Sequence, residues 1–363
     1  MAKIKKELFS ASLFDVLSSA AAIIVGLLIG LVILIISNAS QAMGAFWAIL
    51  TSGFSNLREV GQVLYFATPI IMTGLSVGFS AKTGLFNIGA AGQFIVGAYA
   101  AVLVGVKCTF LPGHLHWIAA LLAALLAGAL WGAIPGLFKA LFNVNEVIAC
   151  IMTNYIGTYL VNFLIIKTCF NSLQNQSLRV ADNANLPKLG MDLVFRDGFN
   201  VSSANSGIFL AIIFAVLIYI ILEKTTFGYE LKACGYNREA AHYAGINERR
   251  SIIASMAIAG AMAGFGGALL YLAGSGKGIT VVDVLAMEGF NGIPVALLGL
   301  NNPIGIIFSG LLIAYLNVGG FNMQLFSFAP QVIEIIIGVI IYFSAFALLV
   351  KGFLISLRKS RGK

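Results

Sequence analysis

About ten apolar runs follow one another along this chain, and each is long enough to cross the ~30 Å hydrocarbon core of a bilayer as a helix. They lie near residues 16–36, 60–80, 85–105, 115–138, 147–166, 207–222, 251–273, 285–300, 304–322 and 331–350. Of the 363 residues, 60% are hydrophobic and 10% are charged, whereas a soluble domain carries about 25% charged residues. The sequence therefore predicts an all-α integral membrane protein with about ten transmembrane helices.

The basic residues predict the orientation of these helices. With the N-terminus in the cytoplasm, the predicted inner segments hold most of the 22 lysines and arginines, which is the usual bias in membrane proteins. The net charge of +8 reflects this bias more than any nucleic-acid surface, because the sequence contains no basic stripe with interleaved aromatic residues. Both termini are therefore expected in the cytoplasm, with the first run retained as an anchor because it lacks an A-x-A cleavage site.

Two of the predicted helices contain residues that interrupt helices. The stretch "GLFNIG" starts at Gly84 in the third run, and "GFNGIP" starts at Gly289 in the eighth run, five spans later and in the opposite direction. The openings "NEVIACI" (145–151) and "QVIEIII" (331–337) are also five spans apart and opposed. These matches predict two inverted five-helix halves, with interrupted helices near a polar pathway.

We interpret the chain as one membrane domain, residues 1–363. Its predicted parts are a cytoplasmic tail (1–15), a first half (16–166), an extracytoplasmic loop (167–206), a second half (207–350) with a cytoplasmic loop (223–250), and a second cytoplasmic tail (351–363).

Polar residues in or beside the apolar runs are candidates for lining this pathway. Amides can satisfy backbone groups freed by a helix break or contact a polar solute, but they also join helices together. Carboxylates inside a membrane indicate function by default, although Glu146 could instead be a stabilising carboxylate at a helix N-terminus. The candidates are Asn87, Gln93, Asn145, Glu146, Asn154, Glu288 and Asn291.

The cytoplasmic loop 223–250 contains a predicted short helix over "REAAHYAG", ended by Gly245 as a C-cap. This helix is either a docking element or part of a solvated connector. The stretch "AGSGKGIT" (273–280) departs from the phosphate-loop pattern at Tyr271 and Gly278, so no ATPase activity is expected of this chain. The four cysteines form no C-x-x-C pair or His/Cys cluster, so no metal site is predicted.

Four ordered motifs resemble one known family. "GLFNIGAAGQFIVGA", "NVNEVIACIMTNYI", "GYNREAAHYAGI" and "GFNGIPVALLGLNNPIG" are similar to motifs of the permease subunits of bacterial ABC importers for nucleosides and simple sugars. The resemblance covers about residues 55–350, and the "NEV" segment and the length favour the nucleoside branch over ribose-type permeases. Ala91 stands where many relatives have glutamate, which puts a carboxylate role at this position in doubt.

The resemblance implies a transport subunit in the bacterial cell membrane with no catalytic residue, metal or cofactor of its own. ATP and magnesium would be bound by a partner ATPase. The other implied partners are a homologous second permease, an extracytoplasmic binding protein and membrane lipid, and loop 167–206 is a candidate contact of the binding protein. The ATPase would dock on residues Glu239, Ala240, Ala241, Tyr243, Ala244, Gly245 and Ile246. A sugar permease and, in a different class, an ion-coupled secondary carrier are the alternatives.

Overall fold

The structure, a computed structural model, describes residue 21, residues 23–329 and residues 331–345. Its helices are α1 (Ile23–Asn38), α2 (Ala42–Thr51), α3 (Leu57–Lys82), α4 (Ala90–Lys107), α5 (Gly113–Phe142), α6 (Glu146–Thr168), α7 (Met191–Val194), α8 (Gly207–Lys224), α9 (Thr226–Tyr236), α10 (Arg238–Tyr243), α11 (Glu248–Tyr271), α12 (Met287–Phe290), α13 (Gly292–Leu298), α14 (Pro303–Met323) and α15 (Gln331–Ala345). Two antiparallel pairs of two-residue strands join β1 (Phe170–Asn171) to β2 (Gln176–Ser177) and β3 (Arg196–Asp197) to β4 (Asn200–Val201).

Within the described ranges, seven helices are long and apolar enough to cross a membrane. They are α3, α4, α5, α6, α8, α11 and Pro303–Phe326, which comprises α14 and the 3-10 turn after it. Shorter apolar helices cover Ile23–Asn38, Ala42–Phe54 and Gln331–Ile340. The prediction of an all-α, multi-pass membrane protein is confirmed, whereas the total of ten spans in two inverted halves stays a prediction. The tails 1–15 and 351–363 lie outside the described residues.

The run 285–300 is interrupted, as was expected of the eighth predicted span: it forms α12 and α13, which have four and seven residues and meet at Asn291. Two details of the predicted spans are wrong. The helix break was expected at Gly289, but this glycine lies inside α12, and its missing side chain instead permits a close packing contact described below. In addition, Ala42–Thr51 forms a helix that was not predicted.

Residues 56–314 form one compact unit, in which α5 and α11 pack through a seam of glycines. A Cβ added to Gly128 would lie 2.4 Å from the Gly260 carbonyl oxygen, and one added to Gly260 would lie 2.3 Å from the Gly128 carbonyl oxygen. At this distance the two backbones touch, which is how membrane helices associate when lipid supplies no hydrophobic drive. The small-residue stretch "AIAGAMAGFGGALL" is therefore explained by helix packing.

Helix α3 is the most buried of the spanning helices in this unit. The Asn56 side chain caps its first turn by accepting a hydrogen bond from the Glu59 amide at 2.9 Å, and the helix packs against α8, α11 and α13. The cap fixes where α3 begins. The neighbouring helices cover its sides, so α3 lies in the interior of the unit.

The predicted loop 167–206 is folded rather than extended. Its two short hairpins are accompanied by backbone bonds from Ser177 to Ile279 (2.8 Å) and from Leu186 to Leu272 (2.7 Å), so the loop pairs with the segment that follows α11. His116 of α5 holds the loop from the other side: its Nδ1 lies 3.0 Å from the Asn183 Oδ1.

The second compact unit comprises the described parts of residues 1–55 and 315–363. Its helices also pack through glycines. A Cβ on Gly319 would lie 2.6 Å from the Ile49 carbonyl oxygen, and one on Gly320 would lie 2.5 Å from the Ile333 side chain. The Tyr315 hydroxyl donates to the Leu50 carbonyl oxygen.

Candidate functional site

The helical structure is interrupted immediately before α4, and this segment is the first interruption. Gly84 has a left-handed φ of +73°, and a Cβ on it would lie 2.5 Å from the Gly235 Cα in α9. The positive φ and the contact both require glycine. A Cβ on Gly235 would in turn lie 2.6 Å from the Thr83 carbonyl carbon. The predicted break at Gly84 is confirmed, and it lies in direct backbone contact with the loop 223–250.

Two of the predicted amides, Asn87 and Gln93, bond to each other inside this break. The Asn87 Nδ2 donates to the Gln93 Oε1 at 2.8 Å, and the Gln93 Nε2 donates to the Asn87 Oδ1 at 3.0 Å. The Asn87 Nδ2 also donates to the Ser76 Oγ at 3.0 Å, and its Oδ1 accepts from the Gly89 amide at 3.2 Å. Both side chains are almost fully buried, so their polar groups are satisfied by protein partners.

Asn154 of α6 forms hydrogen bonds with the backbone of the same interruption. Its Oδ1 accepts a hydrogen bond from the Gly92 amide at 2.8 Å, and its Nδ2 donates to the Ile88 carbonyl at 3.0 Å. These are backbone groups at the start of α4, which lack intrahelical partners. Asn154 therefore replaces the hydrogen bonds that the interrupted helix cannot make.

The second interruption touches the first. A Cβ on Gly289 in α12 would lie 2.3 Å from the Ala91 Cα in α4. Asn291 follows α12 as the N-cap residue of α13, but its side chain caps no amide there and makes no hydrogen bond with any described residue. The expectation that Asn291 caps free backbone amides is wrong, whereas the Asn87 side chain does accept such an amide.

Asn162, one of the polar residues of α6, was not predicted as a site residue. Its Nδ2 donates to the Val282 carbonyl at 2.9 Å and to the Asp283 carboxylate at 3.1 Å, in the segment that leads into α12. The signal in the sequence was a polar residue at every fourth position of an apolar run: Asn154, Thr158 and Asn162. Helix α6 thus forms hydrogen bonds with the segments at both interruptions.

The predicted carboxylates are paired. Glu146, the first residue of α6, lies 2.9 Å from the Lys139 Nζ of α5, and Asn145 caps the helix by accepting from the Val147 amide at 2.9 Å. Glu288 lies 3.2 Å from the Lys277 Nζ. The site candidates therefore divide between a buried cluster (Asn87, Gln93 and Asn154), two residues at the start of α6 (Asn145 and Glu146) and two residues around α12 (Glu288 and Asn291).

The short helix predicted in the loop 223–250 is confirmed as α10. Asn237 caps its start by accepting from the Ala240 amide at 3.0 Å. At its end, Gly245 has a φ of +83°, its amide donates to the His242 carbonyl, and the Ile246 amide donates to the Ala241 carbonyl. This pattern is a Schellman motif.

The surface of α10 is largely exposed. Ala241 is buried, Ile246 is half-buried, and Glu239, Ala240, Tyr243, Ala244 and Gly245 are exposed, with 91% of Tyr243 accessible. A cleft beside the helix end is lined by His242, Gly245, Ile246, Asn247, Glu248 and Arg249. The helix therefore presents a free surface beside the loop that contacts the first interruption.

Comparison with known proteins places these features in a family. Residues 60–345 match the family described as "Branched-chain amino acid transport system / permease component". The chain is 38% identical over 325 residues to the guanosine ABC transporter permease protein NupP of Bacillus subtilis, covering 89% of this chain and 91% of that protein. It is 33% identical over 336 residues to the nucleoside ABC transporter permease protein NupB of Lactococcus lactis, covering 91% and 90%.

A relative with a different named substrate also aligns. The chain is 32% identical over 298 residues to the glucose ABC transporter permease protein TsgB13 of Haloferax volcanii, covering 81% of this chain and 77% of that protein. No solved structure matches the chain.

Proposed function

The chain belongs to the family of permease components of branched-chain amino acid type transport systems, and from this premise we propose that it carries nucleosides across the bacterial cell membrane as one permease of an ATP-driven ABC importer. The observation that carries the proposal is the match over about nine-tenths of its length to permeases named for guanosine and nucleosides. It is a transport subunit rather than an ATPase. ATP and magnesium would be bound by a separate partner.

The arrangement of the cytoplasmic loop supports a route from that ATPase to the pathway. The exposed face of α10 would dock in the ATPase through Glu239, Ala240, Tyr243 and Ala244, with Gly245 fixing the helix end. Helix α9 directly precedes α10, and its Gly235 touches the backbone beside Gly84. A displacement of α10 would therefore reach the first interruption through rigid backbone, without an intervening side chain that could rotate away.

The two interruptions are the proposed pathway region. The buried Asn87, Gln93 and Asn154 would hold the first interruption in shape, while Asn291 has an amide free of described partners and would face the solute. Asn145, Glu146 and Glu288 remain further candidates at the two ends of the path. The paired state of both carboxylates agrees with a pathway for neutral solutes, because an unpaired charge in the membrane is costly.

The remaining assignments complete the proposal. Ten spans in two inverted halves would place both termini in the cytoplasm and loop 167–206 outside, where an extracytoplasmic binding protein would deliver the solute. A homologous second permease would complete the path. A simple sugar is the second candidate substrate, which the similarity to the glucose permease TsgB13 favours.

Reconstitution tests this function. The chain is placed in liposomes with its second permease, ATPase and binding protein, and ATP-driven uptake of guanosine, uridine and ribose is compared. Nucleoside uptake that requires ATP and exceeds ribose uptake is expected. Preferred uptake of ribose would assign the sugar branch, and uptake by the chain alone without ATP would indicate an ion-coupled carrier.

A further inference from the structure

Helix α6 exposes two tyrosines at the depth where a membrane helix normally exposes only apolar groups. The helix has 23 residues, so Gly157 is its midpoint, and Tyr155 and Tyr159 each lie about 3 Å from that midpoint along the axis. They are 46% and 51% exposed. Tyrosine in membrane proteins is enriched at the two interfaces, where its hydroxyl reaches water or headgroups, so this placement requires an explanation.

The two rings of Tyr155 and Tyr159 lie side by side. Their centroids are 6.5 Å apart and their planes differ by 26°, so they form a nearly parallel pair one helical turn apart. Neither hydroxyl has a hydrogen-bond partner among the described residues. A phenol facing lipid would have no partner for its hydroxyl, so this face fits a polar occupant better than acyl chains.

A carboxylate is held by the same helix almost one turn beyond this pair. Asp283 is exposed, and the Asn162 Nδ2 holds its Oδ1 at 3.1 Å. Asn162 lies three residues beyond Tyr159, almost one turn along the same helix. The helix therefore brings together two aromatic faces, two hydroxyls and one fixed hydrogen-bond acceptor.

This set of groups matches the chemistry of a nucleoside. Any planar nucleobase can stack on aromatic rings, and the ribose hydroxyls can donate hydrogen bonds to a carboxylate. We propose that Tyr155 and Tyr159 form a base-stacking step for nucleosides on the exposed face of α6, with Asp283 accepting hydrogen bonds from the ribose. The inference rests on the proposed nucleoside function and identifies which residues of this chain contact the base.

The test compares two nucleosides that differ in the planarity of the base. Uridine has a flat aromatic ring, whereas 5,6-dihydrouridine has a saturated, puckered one and the same ribose. In the reconstituted complex, the double variant Tyr155→Ala/Tyr159→Ala is expected to lower uridine uptake about fivefold or more and to leave dihydrouridine uptake nearly unchanged. Tyr155→Phe/Tyr159→Phe retains both rings and should keep the preference for uridine.

Two further variants separate the base from the sugar and from helix packing. Asp283→Ala should lower the uptake of both nucleosides alike, because both carry the same ribose. Ile156→Ala removes an apolar side chain of similar exposure from the same helix and should change neither uptake rate. Co-purification of the second permease is measured for every variant.

The inference is overturned if the double alanine variant retains the preference for uridine, if the phenylalanine variant loses it, or if the alanine variant fails only because the second permease no longer co-purifies. The last result would make this face a subunit interface. A wild-type complex that transports ribose but no nucleoside would refute the proposed function and the inference together. Nucleoside uptake that the tyrosine variants do not alter would refute the inference alone.

Discussion

Replacing Asn154 by leucine removes a side chain that completes two backbone hydrogen bonds of another segment. The Gly92 amide and the Ile88 carbonyl, at 2.8 and 3.0 Å, would lose their partner. Leucine has a similar volume, so the effect comes mainly from the lost hydrogen bonds. A buried polar group left unpaired costs about 1–3 kcal/mol, and two such groups give an expected destabilisation of about 2–6 kcal/mol.

The apparent melting temperature of the purified protein in detergent measures this effect, with unfolding followed by size-exclusion chromatography after heating. Asn154→Leu is expected to lower the midpoint by roughly 5 °C or more. The matched control is Asn322→Leu, since the Asn322 Nδ2 makes a single long bond of 3.4 Å to the Val318 carbonyl of its own helix. Equal melting midpoints for the two variants would refute the conclusion that Asn154 stabilises the first interruption.

The side chain of Asn87 is hydrogen-bonded, whereas that of Asn291 has no partner among the described residues. Asn87→Leu should therefore lower the melting midpoint. Asn291→Leu should leave the midpoint unchanged and cut ATP-driven uptake at least severalfold. Equal effects of both changes on stability would contradict this distinction. Gly245→Val should reduce uptake and ATPase co-purification because a β-branched residue at a φ of +83° is strained by about 1 kcal/mol or more. No atom lies within 4 Å of the added Cβ, so asparagine, which tolerates this φ, fits at the position. Gly245→Asn should therefore retain both uptake and ATPase co-purification. A cysteine at the exposed hairpin residue Phe199 should react with an impermeant thiol reagent from outside intact cells, and one at the exposed Tyr236 only after permeabilisation. The reverse labelling pattern would invert the proposed orientation.

Local sequence signals predicted the structure best where a residue has only one physical use. Gly245 ends α10 in the expected left-handed conformation, and Gly84 interrupts the helical structure where an interruption was expected. In both cases a φ that only glycine adopts readily makes the prediction specific. Apolar length was equally informative for most spans, because a bilayer leaves few alternatives to a helix.

Contacts between distant segments could not be predicted in this way. Gly289 was assigned to a helix break, but the reason for a glycine there is the backbone of α4 beside it, which no local pattern reveals. The partners of Asn154 lie more than 60 residues away in the chain. The sequence identified Asn154 as polar and unusual, but whether it contacts solute or backbone depends on which helix lies opposite.

The contact between Gly289 and Ala91 couples the side chains that these two positions can carry. No side chain larger than hydrogen fits at position 289 while the α4 backbone lies 2.3 Å from the place its Cβ would occupy. A bulky residue at position 91 would likewise have to displace α12 or direct its side chain away from it. Substitutions at these two positions are therefore expected to be epistatic: a change that is harmful alone becomes tolerable only after its partner has changed, so variation accumulates here in pairs.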